Sequence, residues 1–116
     1  MPNAFTHAEL SSTNVAAAKE FYGALFDWKL QDVPGMEYTT IETGKGHGAG
    51  IMPHPMPEQG SFWLTYIDVE DIRAATEKAA HLGARIMKAP MEVMGTGWIS
   101  VLVDPTGAVF GLRQGK

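Results

Sequence analysis

The chain has 116 residues, enough for one compact domain and too few for two independent ones. Its 45% hydrophobic and 19% charged residues are ordinary for a soluble globular protein, and a net charge of −4 argues against nucleic acid and against an anionic membrane surface. The absence of cysteine excludes disulfides, thiolate nucleophiles and cysteine-based zinc sites; no apolar run approaches the roughly 20 residues of a membrane span, and Pro2-Asn3-Ala4 opens no signal peptide, so a cytoplasmic protein is the default expectation.

Phe5 to Ser11 alternates with the period of a strand. Thr6, Ala8 and Leu10 share one side, and Phe5, His7, Glu9 and Ser11 the other. Ser11, Ser12 and Thr13 lead to Asn14, a good N-cap. Val15, Ala18, Phe21, Tyr22 and Leu25 then follow at helical spacing, which predicts a helix over about 14–26 with one apolar face. Asp27-Trp28 opens a strand through Leu30, Pro34-Gly35 marks a turn, and Met36 to Thr43 supplies a second strand. Gly44-Lys45-Gly46 is a loose turn, and Gly48 to Met52 a weak, glycine-rich strand. Pro53, Pro55 and Pro57, with Glu58-Gln59-Gly60, suit neither helix nor central strand, so 53–60 reads as a linker.

Beyond the linker, Ser61 to Val69 is a strong strand. Asp71 caps a helix over 71–82, and Gly83 is placed as its left-handed C′ residue. Ala84 to Ala89 is a strand, Pro90 and Gly95 bound a loop, and Trp98 to Val103 is a strand. Asp104-Pro105-Thr106-Gly107 has the residues of a type I turn, and Ala108 to Arg113 closes the hairpin.

The second half repeats the first. Shifted by about fifty-seven positions, Phe62 falls on Phe5 and Asp71 on Asn14; Ile72, Ala75, Ala79 and Leu82 fall on Val15, Ala18, Tyr22 and Leu25. The chain is therefore expected to be α+β: one domain over 1–116 made of two βαβββ modules, at about 5–53 and 61–114.

This order, with Phe21-Tyr22, Leu25-Phe26 and Trp28, then Trp63, Tyr66, Val69 and Asp71, and finally Asp104-Pro105, Gly107-Ala108 and Phe110, resembles the vicinal oxygen chelate superfamily. That superfamily contains glyoxalase I, fosfomycin- and bleomycin-resistance proteins and extradiol dioxygenases. The likeness covers essentially the whole chain, and Glu9-Leu10 brings it closest to the small glyoxalase/bleomycin-resistance-like members. It implies two modules paired edge to edge, a curled mixed sheet with a concave cleft, helices on the outer face, and a homodimer with two-fold symmetry.

The resemblance also implies where a metal would be held. The first-strand ligand falls on His7, and the fifth-strand ligand, seven residues before Asp71, on Leu64. The last-strand ligand, four residues after Gly107, falls on Gly111, and the fourth-strand ligand between Ala49 and Met52, where no side chain ligates a hard cation. One ligand of the four survives, whereas a divalent Zn, Mn, Fe or Ni site needs at least three. A divalent metal is therefore disfavoured, and no cofactor is expected.

The expected site is a cleft lined by His7, Glu9, Leu64 and Tyr66, with Gly111 at its floor. His7 and Glu9 share a strand face and could orient a ligand or move a proton, or could simply be linked within the sheet. Leu64, Tyr66 and Phe62 make an apolar wall suited to a small organic ligand, or ordinary core. His47 and His54 lie in loops, His81 on an exposed helix face, and Trp63 by parity in the core; Trp98 lids a pocket or anchors its strand. Two classes remain open: a metal-free small-molecule-binding protein, in the manner of drug-sequestering resistance proteins, and a lyase, isomerase or dioxygenase-like enzyme using His7 with Glu9.

Overall fold

In the computed structural model, which describes residues 3–44, 48–54, 60–93 and 97–115, the chain divides into two compact units. The first is His7–Leu64; the second joins the residues up to Thr6 to those from Thr65 onward.

In chain order, β1 (Phe5–Ser12), α1 (Val15–Leu25), β2 (Lys29–Asp32), β3 (Thr39–Glu42) and β4 (Ala49–Pro53) make one βαβββ series. The series then repeats as β5 (Phe62–Asp68), α2 (Ile72–His81), β6 (Arg85–Val93), β7 (Gly97–Val103) and β8 (Val109–Gln114). The same pairing recurs in each. β2, β3 and β4 run antiparallel in sequence and β4 lies parallel to β1; β6, β7 and β8 run antiparallel in sequence and β8 lies parallel to β5. The duplicated βαβββ plan is borne out.

Both helices start where their caps predict. The Asn14 carboxamide oxygen accepts from the Ala17 N–H at 3.0 Å, and the Asp71 carboxylate from the Ala74 N–H at 3.1 Å. Each cap satisfies one of the donors that a first turn leaves without a partner. At the end of α2, Gly83 N donates to Ala80 O and Ala84 N to Ala79 O, with Gly83 at φ +109. Gly83 is thus the left-handed C′ residue expected, and the two bonds make a Schellman motif.

The first unit buries Leu10, Ile41 and Ile51 against Val15, Ala18, Tyr22, Trp28 and Leu30. The second buries Ile72, Leu102 and Leu112 against Ala75, Ala79, Trp98 and Phe110. At about 1.5–3 kcal/mol per buried large side chain, these small clusters hold each helix on its strands.

Three expectations need correction. Pro90 does not end a strand: β6 continues through it to Val93, because β6 is at the edge of its sheet, where a missing N–H costs no ladder bond. The second strand starts at Thr39 rather than Met36, since Pro34 to Met36 are spent on turning the chain and Val33 N closes on Tyr38 O at 2.9 Å. Trp63 is 40% exposed, beside Tyr22, rather than core.

A buried hydroxyl pair pins α2. Thr76 Oγ1 donates to Ile72 O at 2.6 Å, so its contact with Ser100 Oγ at 2.9 Å uses the serine proton. Thr76→Val is expected to cost about 1–3 kcal/mol by depriving buried Ser100 of its acceptor. Adding Ser100→Ala should recover part of that loss, and urea unfolding of the single and double variants checks it.

The Asp104 carboxylate accepts from Thr106 Oγ1 at 2.7 Å, Thr106 N at 2.8 Å and Ala108 N at 3.0 Å. These bonds, the Thr106 hydroxyl first, hold its pKa below the usual carboxylate range. The motif thus serves the β7–β8 hairpin.

Candidate functional site

The polar face of β1 carries the chemistry of the first unit. Alternation sends Leu10 into the core under α1 and Glu9 to the opposite face, where Glu9 is 8% exposed. His7 lies on that same face, its Nε2 3.8 Å from Glu9 Oε2. Between them comes a third group, Tyr38, whose Oη is 3.1 Å from His7 Nε2 and which is also hydrogen-bonded to Glu9.

Burial, and then the charge of Glu9, raise the pKa of the Tyr38 phenol well above the ordinary phenol value, so the hydroxyl keeps its proton. A phenol has one proton to give. Given to Glu9, it leaves Oη as the acceptor for a proton on His7 Nε2. The direction is therefore His7 Nε2–H to Tyr38 Oη–H to Glu9, an imidazole coupled to a buried carboxylate through a phenol.

What lets the phenol in is Gly50. This residue is the β4 register partner of Glu9, and a Cβ built on it would stand 1.8 Å from Tyr38 Oη and 2.2 Å from Cζ. Any other residue in that place would push the hydroxyl away. The fourth-strand stretch Ala49–Met52 thus offers a phenol from elsewhere in the unit in place of a ligand of its own.

The second unit repeats this device. Tyr66 and Gly111 are register partners on parallel β5 and β8, and a Cβ at Gly111 would lie 2.5 Å from Cδ2 and Cε2 of the Tyr66 ring. Tyr66 is 2% exposed. In each unit, then, a tyrosine is seated on a strand glycine.

Of the residues expected from sequence, His7 and Glu9 come together in the first unit, and Tyr66 and Gly111 in the second. Leu64 belongs to the first unit and is buried on β5. His54 is not an exposed loop residue. It is buried, its ring edge-on to Phe62 at 5.1 Å and its N–H bonded to Ser12 O. His81 is exposed, Trp98 packs in the second core with Arg73 over its ring, and His47 lies outside the described residues.

Sequence reasoning missed Tyr38. The signal was Gly50: a glycine inside a strand marks a close approach by another group. Tyr38 also borders a cavity of about 270 Å³ with Val15, Lys19, Asp32, Met36 and Thr39. There Lys19 Nζ and Thr39 Oγ1 both donate to Asp32 Oδ1, at 2.7 and 2.8 Å.

The donor set does not fit a divalent metal held in the manner the resemblance implies. His7 offers one nitrogen, Leu64 only carbon, and Gly50 and Gly111 no side chain at all. Among the described residues, no three His, Asp or Glu side chains gather closely enough to hold a metal ion. No helix among them is long and apolar enough to cross a membrane.

Comparison with known proteins agrees with this architecture. CFP32 of Mycobacterium tuberculosis, which carries a provisional glyoxylase name, is 35% identical over 113 residues, covering 91% of this chain and 43% of that protein. The anthracycline biosynthesis protein DnrV of Streptomyces peucetius is 31% identical, covering 98% of this chain and 48% of that protein. The chain thus spans about half the length of the curated relatives it matches. Hypothetical protein BH1468 of Bacillus halodurans C-125 has a similar fold, with a TM-score of 0.71 at 17% identity over 100% of this chain and 96% of that one. The family model described as Glyoxalase/Bleomycin resistance protein/Dioxygenase superfamily matches residues 4–112, and the chain belongs to that superfamily.

Proposed function

We propose that this protein binds a small organic ligand at the His7–Tyr38–Glu9 face without the metal its superfamily uses. The observation that carries the reading is the pair of tyrosines seated on Gly50 and Gly111, on the two strands where the resemblance would place a ligating side chain. A partly exposed imidazole backed by a phenol and a carboxylate suits a ligand that presents an oxygen or an acidic proton. The names of CFP32 and DnrV favour carbonyl-bearing and aromatic compounds as the ligand class.

Elemental analysis after purification without chelators tests this, together with titration of an anthracycline followed by its own fluorescence. Metal-free protein that quenches the probe, with quenching weakened about tenfold or more in His7→Ala, is the expected result. Stoichiometric Zn, Mn, Fe or Ni that disappears in His7→Ala would overturn it.

A second reading is favoured by the relay itself. His7 coupled through Tyr38 to Glu9 is arranged to accept and return a proton, as an isomerase or lyase requires. Buffer-independent exchange of a bound carbonyl compound's α-hydrogen for deuterium, lost in His7→Ala, would favour that reading over simple binding.

A further inference from the structure

The cavity of about 270 Å³ beside α1 lies on the helix side of the strands of the first unit, away from the His7 face. Val15 and Lys19 border it from α1, four positions apart and so on one face of the helix. Thr39 borders it from β3, on the face that carries Ile41 into the core beneath α1. The turn between β2 and β3 is held by Met36 N donating to Val33 O at 3.2 Å and Val33 N to Tyr38 O at 2.9 Å. That turn brings Met36 and Glu37 into the lining.

Two properties of the lining select one class of occupant. Its apolar part is Val15, Met36 and Pro53, and Met36 is 49% exposed, a flexible thioether able to settle on a hydrocarbon body. An apolar cavity of ~150 Å³ already admits a benzene ring, so this one has room for a ring and a short chain. The polar part sets two carboxylates, Asp32 and Glu37, against the single ammonium of Lys19. That ammonium is already committed: Lys19 Nζ and Thr39 Oγ1 both donate to Asp32 Oδ1. Lys19 first, and then Thr39, hold the Asp32 pKa below the usual carboxylate range, so the carboxylate stays charged. Among the described residues nothing donates to the second Asp32 oxygen, and nothing to the Glu37 carboxylate. An anion entering here meets two like charges and a lysine that has its partner. A cation meets one uncompensated negative charge and open acceptor oxygens.

We propose that this cavity is a second binding site, for a small organic cation: a primary amine carried on a compact ring or short chain. The ammonium donates to the carboxylates of Asp32 and Glu37, and the hydrocarbon part covers Val15, Met36 and Pro53. An exposed ion pair contributes little by itself, so the covered apolar area supplies most of the affinity and the charge supplies the choice of ligand. The site shares only Tyr38 with the His7 face, and it does not depend on what that face binds.

The test is a titration of the isotope-labelled full chain with phenethylamine, followed by amide chemical shifts. Binding with a dissociation constant of about 1 mM or tighter is expected, with the shifts centred on Lys19, Asp32 and Thr39. Phenethyl alcohol, which has the same body without the charge, should bind about threefold more weakly or worse. Phenylacetate, of opposite charge, should bind about tenfold more weakly or worse. Asp32→Asn should weaken the amine about threefold or more, whereas Lys19→Met, which removes the competing ammonium, should tighten it. Opposite effects from the two members of one ion pair cannot both come from a loss of folding. No binding of the amine by about 10 mM overturns the proposal. So does phenylacetate binding as tightly as the amine, or Asp32→Asn leaving the affinity unchanged. His7→Ala should not alter amine binding; a loss there would place the amine on the His7 face and overturn the proposal as well. The anthracycline titration and this one use different ligands and different variants, so the two readings fail separately.

Discussion

Gly111→Ala is expected to destabilise the protein by about 1–3 kcal/mol, the usual cost of forcing an extra methyl into packed structure. The new Cβ would stand 2.5 Å from Cδ2 and Cε2, along one edge of the Tyr66 ring. Tyr66 is 2% exposed, so the ring has little room to swing aside. Gly111 is not among the positive-φ glycines, so the cost arises from contact and not from backbone conformation. Urea unfolding should show a lower midpoint at unchanged slope. In the double variant Tyr66→Ala/Gly111→Ala the two losses should fall short of their sum, since removing the ring removes the clash. An alanine at 111 with wild-type stability would mean that the ring does not cover this strand.

Gly50→Ala should behave differently, though its new Cβ comes closer still to a tyrosine. What it meets is the tip of Tyr38, at Oη and Cζ, on a side chain that is only partly buried. The tip can move, and the consequence is chemical: the hydroxyl loses its place between His7 and Glu9. Tyr38→Phe removes the same hydroxyl outright and is expected to cost about 1–3 kcal/mol, because a donor to the buried Glu9 carboxylate is lost.

Titration in alkali separates the cases. In the native protein the Tyr38 value lies above the unfolded phenol value of about 10. Its contribution to stability is therefore fully present below that pH and is lost as pH rises through the folded value. Of the chain's three tyrosines, Tyr38 should keep its proton through the ordinary phenol range when followed by ultraviolet absorbance. In Gly50→Ala one more tyrosine should ionise near pH 10. Identical titration curves for the two proteins would show that the phenol is not held by Glu9 and burial.

The parts of this molecule that could be read from sequence are those governed by neighbours along the chain. Asn14 and Asp71 mark their helices because a cap bonds within its own first turn. Gly83 and the Asp104 turn are local for the same reason. The faces of β1 follow from alternation, which places His7 and Glu9 together and Leu10 beneath α1. The rest depended on which strand lies beside which. Tyr38 is thirty-one residues from His7, and nothing between them announces the meeting. Pro90 looked like a boundary because a proline breaks a central strand, and only the position of β6 at a sheet edge makes it harmless. Trp63 was assigned inward by parity, which says which side a residue faces but not whether anything covers that side. His54 followed the opposite course: a proline-rich setting suggested exposure, and contact with Phe62 buried it.

The repeat in the sequence and the compact units of the structure do not share a boundary. Asn3 Nδ2 donates to Asp68 O, and Asp68 N to Ala4 O, so the earliest described residues belong with β5 and the strands that follow it. Those partners lie sixty-five positions downstream. During synthesis the residues before His7 therefore leave the ribosome long before anything exists for them to pair with, while the unit from His7 to Leu64 has all its strands in hand. Assembly is expected to be staggered, with the Asn3–Ala4 segment closing last onto Asp68 over a long loop whose entropy must be lost before its hydrogen bonds are gained. Cutting the polypeptide between Pro53 and Ser61 would follow the duplication in the sequence and still leave the carboxyl-terminal fragment without the segment that completes it.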